Sequence, residues 1–155
     1  MRNEDGIRQE RSNFRCEEIS KRHRKWGYNC PAVDLDFVVA EYNHGKPVAL
    51  VEYKERRWDP ANTSNATYNA LKALADGYCD GSIPFLIAVY DTDEWWFVVY
   101  PMNDAAEAHY RHCIGVPISE QRFVKSLYLL RKSVLTAEDE RAIAKLNTAE
   151  PKLRP

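Results

Sequence analysis

The chain has 155 residues, 45% of them hydrophobic, and its 22 Lys and Arg against 23 Asp and Glu give a formal net charge of −1. That length suits one domain with a proper core, and the near-neutral charge is a weak signal for nucleic-acid binding, which often goes with a basic chain. No apolar run approaches a membrane span, the N-terminus Met1-Arg2-Asn3-Glu4-Asp5 has no signal-peptide core, and Cys16, Cys30, Cys79 and Cys113 form no Cys-x-x-Cys pair. The expectation is a cytoplasmic protein in a reducing compartment, without membrane contact and without a zinc knuckle or disulfide framework.

In chain order, a first helix is predicted from about Gln9 to Trp26, with Cys16, Ile19, His23 and Trp26 on one side and Gly27 as its stop. Asn29-Cys30-Pro31 turns into a first strand, Val33 to about Tyr42, which places Asp34 and Asp36 on one face. Asn43-His44-Gly45-Lys46 reads as a hairpin turn. The next strand, Pro47-Val48-Ala49-Leu50-Val51-Glu52-Tyr53-Lys54, is apolar on both faces at its start, as suits a central strand covered on each side. A helix is predicted from about Ser64 to Asp76, ended by Gly77, with Ala66, Ala70, Leu71, Leu74 and Ala75 on its apolar side. Strands at Ile83 to Tyr90 and Trp95 to Tyr100 flank the acidic turn Asp91-Thr92-Asp93-Glu94. Ser119 caps a helix running to about Arg131, and Thr136 to Asp139 resembles the capping box of a last helix. The termini, about residues 1–8 and 150–155, are expected to fray.

The chemistry concentrates in the second strand. A period of two puts Glu52 and Lys54 on one face, and burying a carboxylate and an ammonium is costly unless they are paired or hold a metal. Taken alone they make an ion pair at a sheet end. With Asp34 and Asp36 on the neighbouring strand, the group suits a Mg²⁺ site for phosphodiester chemistry, because hard oxygen ligands are what Mg²⁺ prefers.

An acidic strand, a hairpin, an apolar strand ending in Glu52-Tyr53-Lys54 and a following helix resemble the PD-(D/E)XK nuclease superfamily over roughly Arg15 to Tyr100. The proline of the superfamily's name does not precede an aspartate directly here: Ala32 and Val33 separate Pro31 from Asp34. The resemblance implies a single restriction-endonuclease-like α/β domain over residues 1–155, a mixed central β-sheet flanked by helices. It implies Asp36, Glu52 and Lys54 as the catalytic set. Asp36 and Glu52 would hold Mg²⁺ (Mn²⁺ as a substitute) with the Tyr53 carbonyl, and Asp34 would assist. Glu18 on the leading helix and Asn69 on the following one are auxiliary candidates. Arg56, Arg57, Trp58 and Lys72 are the candidates for nucleic-acid contact. The expected function is a Mg²⁺-dependent endonuclease on branched or structured DNA, with RNA the other possible substrate. It would work as a homodimer in a bacterial or phage-infected cell. The competing expectation is a non-catalytic DNA- or protein-binding module on a nuclease fold, such as a phage-encoded factor.

Overall fold

The computed structural model of the chain describes residues 35–41, 45–78 and 81–149. The predicted leading helix with Glu18, as well as Asp34, His44 and both termini, lie outside the described residues.

Five strands form one mixed sheet whose spatial order follows chain order: β1 (Phe37–Glu41), β2 (Lys46–Glu55), β3 (Phe85–Tyr90), β4 (Trp96–Pro101) and β5 (Ile118–Ser119). β2 is antiparallel to β1 and parallel to β3; β4 is antiparallel to both β3 and β5. The parallel pair needs a crossover, supplied by α1 (Ala66–Asp76). Three more helices follow: α2 (Asp104–Tyr110), α3 (Glu120–Lys132) and α4 (Ala137–Ala149). This is a mixed α/β architecture, the coarse class the sequence implies. None of the described helices is long and apolar enough to cross a membrane.

Helices cover both sheet faces, which is why β2 and β3 read as continuous apolar runs. On one face Leu50, Ile87, Val89 and Val98 meet Tyr68, Leu71 and Ala75 of α1. On the other, Ala49, Val51, Leu86 and Ala88 meet Tyr110 of α2 and Phe123 and Leu130 of α3. Phe123 stacks on Phe97 at 4.3 Å between centroids.

Several boundaries differ from the sequence reading. The predicted strand 33–42 begins only at Phe37, the first residue in ladder register with β2; Asp36 stands just before it. Gly45 takes the left-handed φ of 60° expected of a turn, but the strand starts at Lys46. The β1–β2 register slips between Val39 and Ala40, opposite Pro47, which has no N–H to give the ladder. In α1 the predicted apolar side is rotated: Tyr68, Leu71 and Ala75 are buried, whereas Leu74 is 58% exposed. Trp95 belongs to the turn, not to β4. Ile118 and Ser119 form a short strand before the helix that Ser119 caps, accepting from Arg122 N–H at 3.4 Å. The Thr136 capping box forms as read: Thr136 N–H donates to Asp139 Oδ2 at 2.9 Å and Asp139 N–H to Thr136 Oγ1 at 3.2 Å. Helix α2 was not anticipated.

Candidate active site

The site is built where β1 begins and β2 ends. Glu52 faces the α1 side of the sheet and is 4% exposed. Both its oxygens are engaged: Oε1 accepts from the Asp36 backbone N–H at 3.1 Å, and Oε2 accepts from Lys54 Nζ at 3.0 Å. Asp36 Oδ2 accepts from the Tyr53 backbone N–H at 3.0 Å and lies 3.9 Å from Lys54 Nζ. Side chain and backbone thus exchange the bonds that a longer β1 would have made through its ladder, and this fixes Asp36 against β2. A strand residue turns its N–H and C=O to the same side, so the Tyr53 carbonyl also faces this edge.

The electrostatics are those of a held ammonium. Burial alone would lower the Lys54 pKa; the hydrogen bond and charge of Glu52, with Tyr68 and Asp36 nearby, outweigh it and hold Lys54 above its usual value. Lys54 therefore stays charged at neutral pH while about 30% of its side chain remains exposed. Glu52 is walled in; Asp36 and Lys54 face outward.

The donor set fits a small hard cation in part. Two carboxylates converge on one position, now taken by the lysine Nζ, with a backbone carbonyl on the same edge. Mg²⁺ keeps several waters and needs few protein ligands. Among the described residues no group of three or more His, Cys, Asp or Glu is arranged to hold a metal.

The predicted nucleic-acid contacts separate. Arg56 is exposed but paired within the chain: Nη1 lies 2.7 Å from Asp91 Oδ2 and 3.7 Å from Asp93 Oδ2. Asp91 is 3% exposed and also accepts from the N–H groups of Asp93 (2.8 Å) and Glu94 (3.0 Å). Arg56 is thus a clamp between the end of β2 and the β3–β4 turn. Lys72 pairs with Asp76 one turn along α1 at 2.6 Å. Trp58 is half-buried with its ring edge against Tyr100, at 5.5 Å. Arg57 is exposed and has no ion-pair partner among the described residues. Asn69 is exposed on α1, away from its buried stripe.

Sequence reasoning missed Tyr68 as a neighbour of Lys54. Asn65 caps α1 by accepting from the Tyr68 N–H at 3.0 Å, and the ring packs near Phe85. The Asn cap was a readable signal for where the helix starts, but not for which ring it delivers to Lys54. His109 and Cys113 are used internally: His109 Nε2 meets Ser126 O at 3.2 Å, and Cys113 Sγ donates to Tyr110 O at 3.4 Å.

Comparison with known proteins gives no relative to lean on: no family model matches the chain, and no curated protein or solved structure does.

Proposed function

We propose that this chain is a Mg²⁺-dependent nuclease that hydrolyses phosphodiester bonds, acting as an endonuclease on branched or structured DNA. The supporting observation is the convergence of Asp36, Glu52 and Lys54: two carboxylates and one ammonium within 3.9 Å, at the end of a buried strand. The order hairpin, α1, parallel β3 agrees with the PD-(D/E)XK layout inferred from the sequence.

Asp36 and Glu52, with the Tyr53 carbonyl, are the residues that would hold Mg²⁺, which lowers the pKa of water and offsets charge on the phosphate. Lys54 reaches the same position from the solvent side. Its ammonium would orient the attacking water and meet the non-bridging phosphate oxygens, in the electrostatic role that accounts for much of catalysis in such sites. In the reaction a water oxygen bonds to phosphorus and the bond to the 3′ oxygen breaks. The water proton leaves to solvent and the 3′ oxygen takes one up, which gives 5′-phosphate and 3′-hydroxyl ends. Cutting both strands of a junction takes two such centres, which is the argument for a homodimer.

One observation favours a second reading. Both Glu52 oxygens already accept hydrogen bonds, so the cluster is complete as an ion pair, and a binding module could retain it for stability. The deciding experiment is a cleavage panel of linear duplex, single strand, flap and four-way junction with Mg²⁺, Mn²⁺ or EDTA, comparing wild type with Glu52→Ala. Metal-dependent cutting that Glu52→Ala abolishes upholds the nuclease. Binding without cutting, equal in both proteins, leaves the module.

A further inference from the structure

The turn between β3 and β4 holds a tryptophan where a glycine would be cheaper. Trp95 has φ of 51°, the one positive value at a non-glycine among the described residues. The loop is closed by Trp95 N–H to Asp91 O at 3.0 Å and Asp91 N–H to Trp96 O at 3.2 Å. Glycine adopts this conformation without steric cost, and for a bulky side chain it is an outlier that the surroundings must enforce. The indole placed there is 50% exposed. Its other face is backed by Tyr90, the rings nearly parallel at 15° with centroids 6.5 Å apart. Tyr90 in turn lines a polar cleft of about 240 Å³ with Glu55, Arg56, Arg57, Asp91 and Asp93.

The geometry points to Trp95 as a stacking platform for an unpaired nucleobase, with Arg57 meeting the adjoining phosphate. The assignment rests on the nuclease reading, because Lys54 marks the phosphate end of the same path. Arg57 follows Lys54 by three residues, and Glu55 pairs in register with Tyr90, which carries the indole. The register sets Lys54 on the α1 face of the sheet and Glu55 and Tyr90 on the opposite face, so the ammonium and the indole stand on either side of the end of β2. A strand held at Lys54 would have to round the end of β2 past Arg57 to set a base on the indole.

The acids of this rim select the kind of nucleic acid. Asp91 is spent on Arg56 and on two backbone N–H groups, and Arg56 also offsets Asp93. Glu55 remains exposed beside Arg57, and Glu94 is exposed in the β3–β4 turn. Residual negative charge opposes a duplex more than a single strand, whose charge density is lower. Base–aromatic stacking tolerates any sequence, since every base has a π-face. The substrate class that fits is therefore nucleic acid with unpaired nucleotides beside the cut, as at a flap or junction.

The test is fluorescence anisotropy of a labelled oligothymidylate and of a duplex of equal length, in EDTA, with the full chain. Wild type should prefer the single strand. Trp95→Gly should weaken that binding on the order of tenfold, while Trp95→Phe keeps most of it. Trp95→Asn, which also tolerates the left-handed conformation, serves as a second variant, and thermal melting confirms that each is folded. Unchanged affinity in Trp95→Gly and Trp95→Asn would overturn the platform, as would a wild type that prefers duplex or binds neither. Lost self-association with unchanged oligonucleotide affinity would overturn it in favour of a protein contact. Cleavage measured in parallel separates the two claims. Cutting that requires Glu52 with no Trp95 effect on binding sinks the platform alone; Trp95-dependent binding without any cutting sinks the nuclease alone.

Discussion

Lys54 Nζ lies 3.0 Å from Glu52 Oε2 on its own strand face and 3.9 Å from Asp36 Oδ2 on the neighbouring segment, so one ammonium bridges two carboxylates of which only Asp36 is substantially exposed. Removing it leaves Glu52 buried with its charge uncompensated. Lys54→Ala is expected to lose about 1–3 kcal/mol of stability, the cost of stranding a buried polar group. Lys54→Ala combined with Glu52→Gln should recover part of that loss. Urea titrations of the three proteins check this; a Lys54→Ala midpoint equal to wild type would contradict the coupling.

The same pair sets an expectation for catalysis. Lys54→Ala should reduce Mg²⁺-dependent cleavage on the order of 10²–10³-fold, the usual effect of removing one group that stabilises charge in a transition state. Lys54→Arg should restore only part of the rate, because a planar guanidinium does not replace a compact ammonium. Equal single-turnover rates for wild type and Lys54→Ala would remove Lys54 from the chemistry.

Metal should be visible without turnover. A cation bound by Asp36 and Glu52 stabilises the folded chain by about 2.7 kcal/mol at a hundredfold excess over Kd. For a chain of this size that is a rise in Tm of about 5–10 °C. Mn²⁺ or Mg²⁺ should give this shift in wild type and not in Asp36→Asn. A shift of equal size in both proteins would place the cation elsewhere.

A buried asparagine ties the far end of the sheet together. Asn103 Oδ1 accepts from the N–H groups of Phe85 and Ala106, both at 3.0 Å, and Nδ2 donates to Asp76 Oδ1 at 2.8 Å and Ile83 O at 2.9 Å. It caps α2 and holds the entry to β3 at once. Asn103→Ala should cost about 2–4 kcal/mol, the lost cap plus stranded buried groups. Chemical denaturation measures it, and a loss under about 0.5 kcal/mol, as for an ordinary surface change, would show that the bonds are dispensable.

The pH dependence has a defined alkaline limb. Burial pushes the Tyr110 hydroxyl up to about 12 from its usual 10.0, against the lowering effect of the bond from Ser126. The neutral form is therefore favoured by folding. This contribution is fully present below 10.0 and is lost as pH rises from there towards about 12. Thermal melts across that range should show stability falling in wild type and a flatter slope in Tyr110→Phe. Parallel slopes would assign the alkaline loss to other groups.

The parts of the fold legible in the sequence were those carried by local pattern. The period of two put Glu52 and Lys54 on one face, and Gly77, Ser119 and Thr136 marked helix ends that the structure keeps. The acidic first turn of α2, with Asn103 before it, carried the same kind of signal and went unread because the helix is only seven residues long. What local pattern cannot carry is partnership across the chain. Arg56 looked like a free cation because Asp91, its partner, is 35 residues away. Leu74 looked like core because the stripe of α1 is set by Tyr68, whose burial depends on Phe85. The left-handed Trp95 was invisible for the opposite reason: its residue type argues against the conformation it adopts.

Because the strands sit side by side in the order they occur along the chain, the sheet can zip without threading any segment past another. The β1–β2 and β3–β4 pairings close short loops, whereas β4–β5 must wait for residues 102–117 and β2–β3 for residues 56–84 to fold back. Loop closure is the entropic toll on each pairing, and short separations make for quick assembly. Asp36, Glu52 and Lys54 all lie within the first hairpin. The three charged groups would therefore meet early, while water still solvates them, and α1 would close over a cluster already neutralised from within.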